Sequence, residues 1–130
     1  MQRLVDEATS YAVRQLKHHS EAVIQAGIAI ELQGRGAVVQ REVPVPVPFQ
    51  CSWSGGVVTV GSVRLDCVVF YDGCAVAIEV KRSGSSAERC ESQLQKYIST
   101  IDPEWGLVLV SPDGARWLRP PKSPTGDSSQ

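Results

Sequence analysis

The clearest pattern in the chain is the alternation of apolar and polar positions on either side of Asp72-Gly73. Such alternation is typical of a half-buried strand. An Asp-Gly pair between two such runs predicts a tight hairpin, because a type I′ turn needs positive φ at both central positions. The predicted register pairs Tyr71 with Cys74 and continues to Asp66 opposite Glu79. One face is apolar, with Val63, Leu65, Cys67, Val69 and Tyr71 beside Cys74, Val76, Ile78 and Val80; the other carries Arg64, Asp66, Glu79 and Lys81.

The pairing of Asp66 with Glu79 needs a physical explanation. Directly opposed side chains lie roughly 5 Å apart at Cβ, and two like charges at that distance repel by roughly 3 kcal/mol at an effective dielectric constant of 20. A divalent cation between the carboxylates would offset this repulsion, with Lys81 projecting toward the same place. The alternative is an exposed strand end at which Arg64 and Lys81 form weak surface ion pairs.

The rest of the chain alternates helical and extended patterns. Pro44, Pro46 and Pro48 are spaced by two, which predicts an edge strand whose outer side cannot pair. A break at Asp102-Pro103 precedes a continuous apolar run, typical of a strand buried on both faces. The predicted elements are helices at 3–17, 20–33 and 87–100 and strands at 37–49, 57–71, 105–110 and 115–118, in addition to the strand after the hairpin turn.

The second predicted helix carries two acids near its apolar stripe, Glu21 and Glu31. A buried acid is costly unless it is paired or bound to a metal. Both acids are therefore candidate site residues, although Glu21 also fits an ordinary first-turn acid that complements the helix dipole. If the following strand returns antiparallel to this helix, Glu21 lies nearer Asp66, which makes it the first candidate and Glu31 the second.

Size and composition predict one ordinary folded domain. A chain of 130 residues with 42% hydrophobic and 21% charged residues fits a single globular unit, expected at residues 1–119 with a disordered tail at 120–130. Thirteen basic and fourteen acidic residues nearly cancel, so any nucleic-acid binding depends on a local patch. The four cysteines lack zinc-site spacing, and no apolar run marks secretion or a membrane span. We expect a reduced, cytoplasmic protein.

The order of these elements and motifs resembles the PD-(D/E)xK nuclease superfamily. Within it, residues 20–110 resemble the small GxxExxY group through Glu21, AIELQGRG (29–36), REVPVPV (41–47), VRLDCVV (63–69), AIEVK (77–81) and QLQKY (93–97). Gln93 and Tyr97 also match the motif that follows the ExK strand in RecB-type nucleases. Ile24 and His18 depart from the group, standing where its name expects tyrosine and the first glycine.

The resemblance implies an α/β fold with a restriction-endonuclease-like αβββαβ core, a mixed sheet flanked by helices, and an extra N-terminal helix. It also implies Mg²⁺-dependent (or Mn²⁺-dependent) hydrolysis of DNA, with RNA not excluded. Asp66, Glu79 and the Val80 carbonyl would bind the metal; Lys81, Glu21 or Glu31, and Gln93 would complete the catalytic set. Candidate nucleic-acid contacts are Arg64, Arg82, Arg89, Lys96 and Tyr97.

Three alternatives are consistent with the same sequence. One is an unrelated small α/β interaction domain, in which the pairing of Asp66 with Glu79 would be a coincidence of the register. A Holliday-junction resolvase, which the superfamily also contains, would work as a two-fold homodimer. A catalytically inactive member would serve as a nucleic-acid or protein-binding module. No base-reading element is visible, so we expect cleavage guided by structure rather than by sequence.

Overall fold

The computed structural model describes residues 1–81 and 103–122. In these ranges the chain forms two helices and five strands: α1 (Gln2–Leu16), α2 (Glu21–Gly34), β1 (Val38–Gln50), β2 (Val57–Tyr71), β3 (Cys74–Val80), β4 (Gly106–Ser111) and β5 (Gly114–Arg119). The boundaries predicted from the sequence agree with these within one or two residues. The predicted helix at 87–100 lies outside the described residues.

The five strands form one mixed sheet in the order β1-β2-β3-β4-β5. Strands β3 and β4 are parallel, whereas the other neighbours are antiparallel. This confirms the predicted α/β class with a mixed sheet. Strand β4 is buried over its whole apolar run, as predicted for a strand covered on both faces.

The Asp72-Gly73 turn sets the register of the central hairpin. Both residues have positive φ, 53° and 77°, as a type I′ turn requires. The ladder runs without a shift from Tyr71 opposite Cys74 to Cys67 opposite Ile78, which confirms the predicted register over those five pairs.

Strand β1 lies at the edge of the sheet, as its three prolines predicted. Pro44, Pro46 and Pro48 are paired with Arg64, Ser62 and Thr59 of β2. A register shift between Val47 and Pro48 leaves one extra residue in β2, next to Gly61.

Among the described residues, the core consists of two clusters. A helix-side cluster joins both helices to alternate sheet residues, among them Cys67, Val69, Ile78 and Val80. An opposite cluster contains Val45, Leu65, Val68, Ala77, Leu107 and Leu109. The central strands are therefore buried on both faces, and Val68 and Ala77 belong to the opposite cluster.

The side chains change faces near Glu42. Leu65 belongs to the opposite cluster although Cys67, two residues on, belongs to the helix-side cluster, so the prediction that they share a face is wrong. Glu42 has a left-handed backbone with φ of 54°. It lies between the pairs of Arg41 with Cys67 and Val43 with Leu65, where it interrupts the regular alternation of both strands.

Both helices pack against the sheet through one face. In α1 Thr9 is buried, whereas Tyr11 is 45% exposed. The Ser20 side chain caps the start of α2, because it accepts a hydrogen bond from the Val23 amide. The buried residues of α2 are Ile24, Gln25, Ile28, Ala29 and Leu32.

The structure also describes the start of the predicted tail, three of the cysteines and the length of the helices. The predicted tail begins at residue 120, yet the Lys122 amide donates to the Glu104 carbonyl at 2.9 Å, so the described residues 120–122 remain close to the domain; residues 123–130 lie outside the described ranges. Cys51, Cys67 and Cys74 are free thiols. Neither described helix is long and apolar enough to cross a bilayer.

Candidate active site

Asp66 is tied to Glu79 and to the neighbouring Val80 by two hydrogen bonds. The Asp66 amide donates to Oε1 of Glu79, and the Val80 amide donates to Oδ2 of Asp66, both at 2.7 Å. The predicted proximity of the two acids is observed, but the contacts differ from a simple cross-strand pair. The backbone ladder of β2 and β3 ends at the pair of Cys67 and Ile78. Beyond this pair, the amides of Asp66 and Val80 donate to side-chain carboxylates. These bonds fix the positions of both carboxylates.

Burial acts on both acids, and the charge of Asp66 also acts on Glu79. Glu79 is only 6% exposed, and its burial, followed by the charge of Asp66, raises the pKa of Glu79 to about 7. Burial also raises the pKa of Asp66, against the opposing effect of the Val80 amide. The same two acids add to the burial that raises the pKa of the neighbouring Cys67 thiol to about 12. The site therefore favours binding of positive charge, whether protons or a cation.

Lys81 supplies positive charge to this site. It follows the last residue of β3, and its amide donates to the Val110 carbonyl at 2.8 Å, which holds its backbone against β4. The Lys81 ammonium lowers the pKa of both Asp66 and Glu79. Its charge is therefore close enough to act on both carboxylates, although burial outweighs it at each.

The two helical acids occupy different environments. Glu21, the first residue of α2, raises the pKa of both Asp66 and Glu79 through its charge. Glu31 instead accepts a hydrogen bond from Nε of Arg35 at 3.0 Å, and Arg35 also contacts Glu7 at 3.2 Å. Glu31 is not on the buried stripe, so its predicted anomaly disappears. Of the two candidates, Glu21 has the electrostatic relationship to the carboxylate pair.

Three further residues near the site were not selected from the sequence. Glu42 raises the pKa of Asp66 through its charge. Arg41, which is paired with Cys67, donates from Nη2 to Oε1 of Gln25 at 2.6 Å. Gln25 lies one turn after Glu21 in α2, so this bond ties the start of the helix to β1. Arg41 and Glu42 begin the REVPVPV motif, which was the only signal in the sequence for them.

The remaining predicted residues are only partly described. Arg64 is exposed and lies 3.7 Å from Glu42 in an ion pair, so part of its charge is directed toward β1. The predicted catalytic residue Gln93 and the other predicted nucleic-acid contacts, Arg82, Arg89, Lys96 and Tyr97, lie outside the described residues.

The donor set fits a hard divalent cation. Carboxylate and carbonyl oxygens are the ligands that Mg²⁺ prefers, and Asp66, Glu79 and the Val80 carbonyl supply them at adjoining positions. Each carboxylate has two oxygens, and the two amide bonds occupy only one oxygen of each. Within residues 1–81 and 103–122, no group of three or more His, Cys, Asp or Glu side chains surrounds a common point. A cation here would complete its coordination with water, as Mg²⁺ commonly does.

A family model described as the PD-(D/E)XK nuclease superfamily matches residues 7–113. The chain belongs to this superfamily. The match extends over most of the chain and includes every described residue of the site. It does not confirm the GxxExxY group. The sequence prediction assigned the superfamily motif to Asp66 and Glu79-Val80-Lys81, and these are the residues that the structure brings together.

Solved structures similar to this PD-(D/E)XK chain are distant in sequence. The crystal structure of SSO0001 is 20% identical, with a TM-score of 0.47 and coverage of 94% of this chain and 67% of the other. The SPO1766 protein of unknown function from Silicibacter pomeroyi is 17% identical, with a TM-score of 0.34 and coverage of 69% and 63%. No curated protein sequence matches this chain.

Proposed function

We propose that this protein is a metal-dependent nuclease that hydrolyses phosphodiester bonds in DNA. One observation supports this most: two mostly buried carboxylates with raised pKa values are fixed side by side by backbone amides, next to Lys81. A structural ion pair would need one carboxylate only. The charge of Asp66 adds to the burial that raises the pKa of Glu79, and carboxylates with perturbed pKa values are typical of a site that binds a cation or moves protons.

Asp66, Glu79 and the Val80 carbonyl would hold Mg²⁺ or Mn²⁺. The ion, when bound, would polarise a phosphoryl oxygen and lower the pKa of a water molecule. The protein contributes rigidity, because the amides of Asp66 and Val80 fix one oxygen of each carboxylate. A site held within a fraction of an ångström loses little binding energy to reorganisation.

Lys81 would orient the attacking water and stabilise the negative charge that develops on the phosphate. Its backbone is anchored to β4 through Val110, so its side chain starts from a fixed point beside both carboxylates. Glu21 would orient Lys81 or reach the ion through water. Gln93, which lies outside the described residues, would hold the scissile phosphate, and Arg64, Arg82, Arg89, Lys96 and Tyr97 would contact the nucleic acid.

The charge balance favours a protein that recognises the structure of a nucleic acid rather than one with a long sequence-specific interface. The chain has a formal net charge of −1, whereas proteins that depend on many phosphate contacts carry a strong basic excess. Cleavage directed by the shape of the substrate, such as a single-stranded end or a branch, would need only a few phosphate contacts close to the site.

The experiment is cleavage of end-labelled single-stranded, duplex and branched DNA, and of RNA, in Mg²⁺, Mn²⁺ or EDTA. The proposal expects metal-dependent cutting of at least one DNA substrate, and the preferred substrate defines the mode of action. Cutting of RNA alone would overturn the DNA assignment. A folded protein that cuts nothing, yet retards DNA in a gel without metal, would favour the inactive binding module.

A further inference from the structure

The β1–β2 hairpin extends well beyond the rest of the sheet. In the described part of the chain, β2 pairs with β3 only from Cys67 to Tyr71, whereas it pairs with β1 as far as Val57. Residues 43–63, called the hairpin arm here, thus form a two-stranded ribbon with a loop at its tip. An isolated two-stranded hairpin is at best marginally stable in water, so an arm of this length would gain stability from a third strand.

The surface of the arm is apolar and uncharged. Residues 43–63 include no Asp, Glu, Lys, Arg or His. Large hydrophobic side chains that are 47–87% exposed lie along it: Phe49, Trp53, Val57, Val58 and Val60. Several large exposed apolar side chains on one short segment are typical of an interaction site. The absence of any charge in the arm's sequence argues against phosphate contacts, which are made largely by Arg and Lys.

The two edges of the arm differ in their capacity to pair. In an antiparallel ladder, opposed residues either exchange two hydrogen bonds or exchange none. A proline has no N–H to exchange, so the pairs of Pro46 with Ser62 and Pro48 with Thr59 must exchange none. The outer edge of β1 therefore lacks donors at each proline, and it cannot accept another strand as a regular ladder.

The same geometry directs hydrogen-bonding groups of β2 outward. Because Ser62 and Thr59 exchange no bonds with β1, their N–H and C=O groups turn away from it, toward the side where β3 would lie if it were longer. Residues 57–62 are all exposed, rich in β-branched side chains and free of proline. A strand edge with this composition is a template for pairing with another strand.

We propose that the open edge of β2 pairs antiparallel with the same edge of a second copy of this chain, forming a two-fold dimer with a continuous ribbon of four strands. Every copy carries the same uncharged edge, so a two-fold contact satisfies both edges at once. Pairing through the arm ends at two copies, because the outer edges of the four-stranded ribbon belong to β1 and are blocked by proline. A strand of another protein would satisfy the same edge, but it would leave each unbound copy with an open edge.

This inference does not rest on the proposed nuclease activity, since the arm contains neither Asp66 nor Glu79. It does bear on which nuclease the protein is. A two-fold dimer is what a resolvase-type enzyme requires, because it cuts two strands symmetrically.

The test is the mass in solution, by analytical ultracentrifugation in reducing buffer, of the wild type and three variants. Val60→Lys places a charge on the open edge, and Ser62→Pro removes an outward donor without loss of a bond to β1. Val38→Lys is the matched control, because Val38 and Val60 are both strand valines that are 61% exposed, but Val38 lies outside the arm. Amide exchange of Ser62 and Thr59 is followed over the same concentration range.

The expected result is a wild type and a Val38→Lys variant at twice the 14.1 kDa chain mass. We expect the dimer dissociation constant to rise by at least about tenfold in Val60→Lys and Ser62→Pro. The amides of Ser62 and Thr59 should exchange more slowly as the dimer forms. A wild type that stays at 14.1 kDa overturns the proposal. So does a dimer that survives both arm variants, since its interface would lie elsewhere.

Discussion

The carboxylate of Asp66 accepts a hydrogen bond from the Val80 amide while the amide of Asp66 donates to Glu79, both at 2.7 Å. Backbone and side chain of one residue thus contact the same short segment of β3. The arrangement stabilises the backbone where the ladder ends, and it also brings two negative charges together. The site is therefore expected to respond to pH and to divalent cations through stability as well as through activity.

The first prediction concerns pH. The pKa of Glu79 is raised from 4.5 to about 7 in the folded protein, so between these values the folded state binds more protons than the unfolded state. The free energy of unfolding in EDTA should therefore decrease as pH rises from about 4.5 to about 7, by about 3 kcal/mol, and then level off. Chemical denaturation across this range measures it. In Glu79→Gln, which cannot titrate, most of the decrease should disappear; an unchanged pH profile in this variant would contradict the assignment.

The second prediction concerns divalent cations. Mg²⁺ or Mn²⁺ competes with protons for the carboxylates, so it should raise the melting temperature more at pH 8 than at pH 5.5. Calorimetric titration at both pH values gives the affinity. Binding should be lost in Asp66→Asn and Glu79→Gln. It should be retained in Glu31→Gln, which removes an acid of α2 that is paired with Arg35. Equal affinity of all these proteins for the cation would show that it binds at another site.

The third prediction separates the two helical acids. Glu21→Gln should reduce cleavage by about tenfold or more, because its charge acts on both Asp66 and Glu79. Glu31→Gln should leave cleavage unchanged and lower the free energy of unfolding by at most about 1 kcal/mol, the range of partly exposed ion pairs. Rates measured under single-turnover conditions make the comparison. If Glu31→Gln reduces the cleavage rate and Glu21→Gln does not, Glu31 is the helical acid of the active site.

The fourth prediction concerns the strained backbone of Glu42. A left-handed conformation costs a non-glycine residue about 1–2 kcal/mol, and Glu42 also adds negative charge near Asp66. Glu42→Gly should therefore increase the free energy of unfolding by about 1 kcal/mol. Gln40→Gly, at an exposed position of the same strand with ordinary φ, should decrease it by about 0.5–1 kcal/mol. If both glycines destabilise equally, Glu42 carries no strain.

The proximity of Asp66 and Glu79 could be predicted because it depends on local chemistry. The Asp72-Gly73 turn fixes the register of two adjacent strands. The register places Asp66, six residues before Asp72, near Glu79, six residues after Gly73. The spacing of the three prolines likewise identifies an edge strand without knowledge of the rest of the sheet. Each feature depends only on the geometry of one strand or one turn.

The features that were missed depend on tertiary contacts. No local pattern shows that Glu42 adopts positive φ, so the change of face between Cys67 and Leu65 was not foreseen. The bond of Arg41 to Gln25 exists only because α2 packs beside β1. Glu31 appeared to lie on a buried stripe because the apolar pattern of α2 extends around much of the helix, and only the packed structure shows which face is covered.

The most direct test of the account is cleavage by the wild type, Glu79→Gln, Lys81→Met and the control Glu31→Gln, on the DNA substrate that the wild type prefers, in Mg²⁺ and in EDTA. Circular dichroism and melting temperature establish that each variant is folded. The account predicts metal-dependent cutting by the wild type and Glu31→Gln, with a loss of about 100-fold or more in Glu79→Gln and Lys81→Met. Cutting that persists in both of these variants would show that the carboxylate pair and its lysine do not catalyse the reaction.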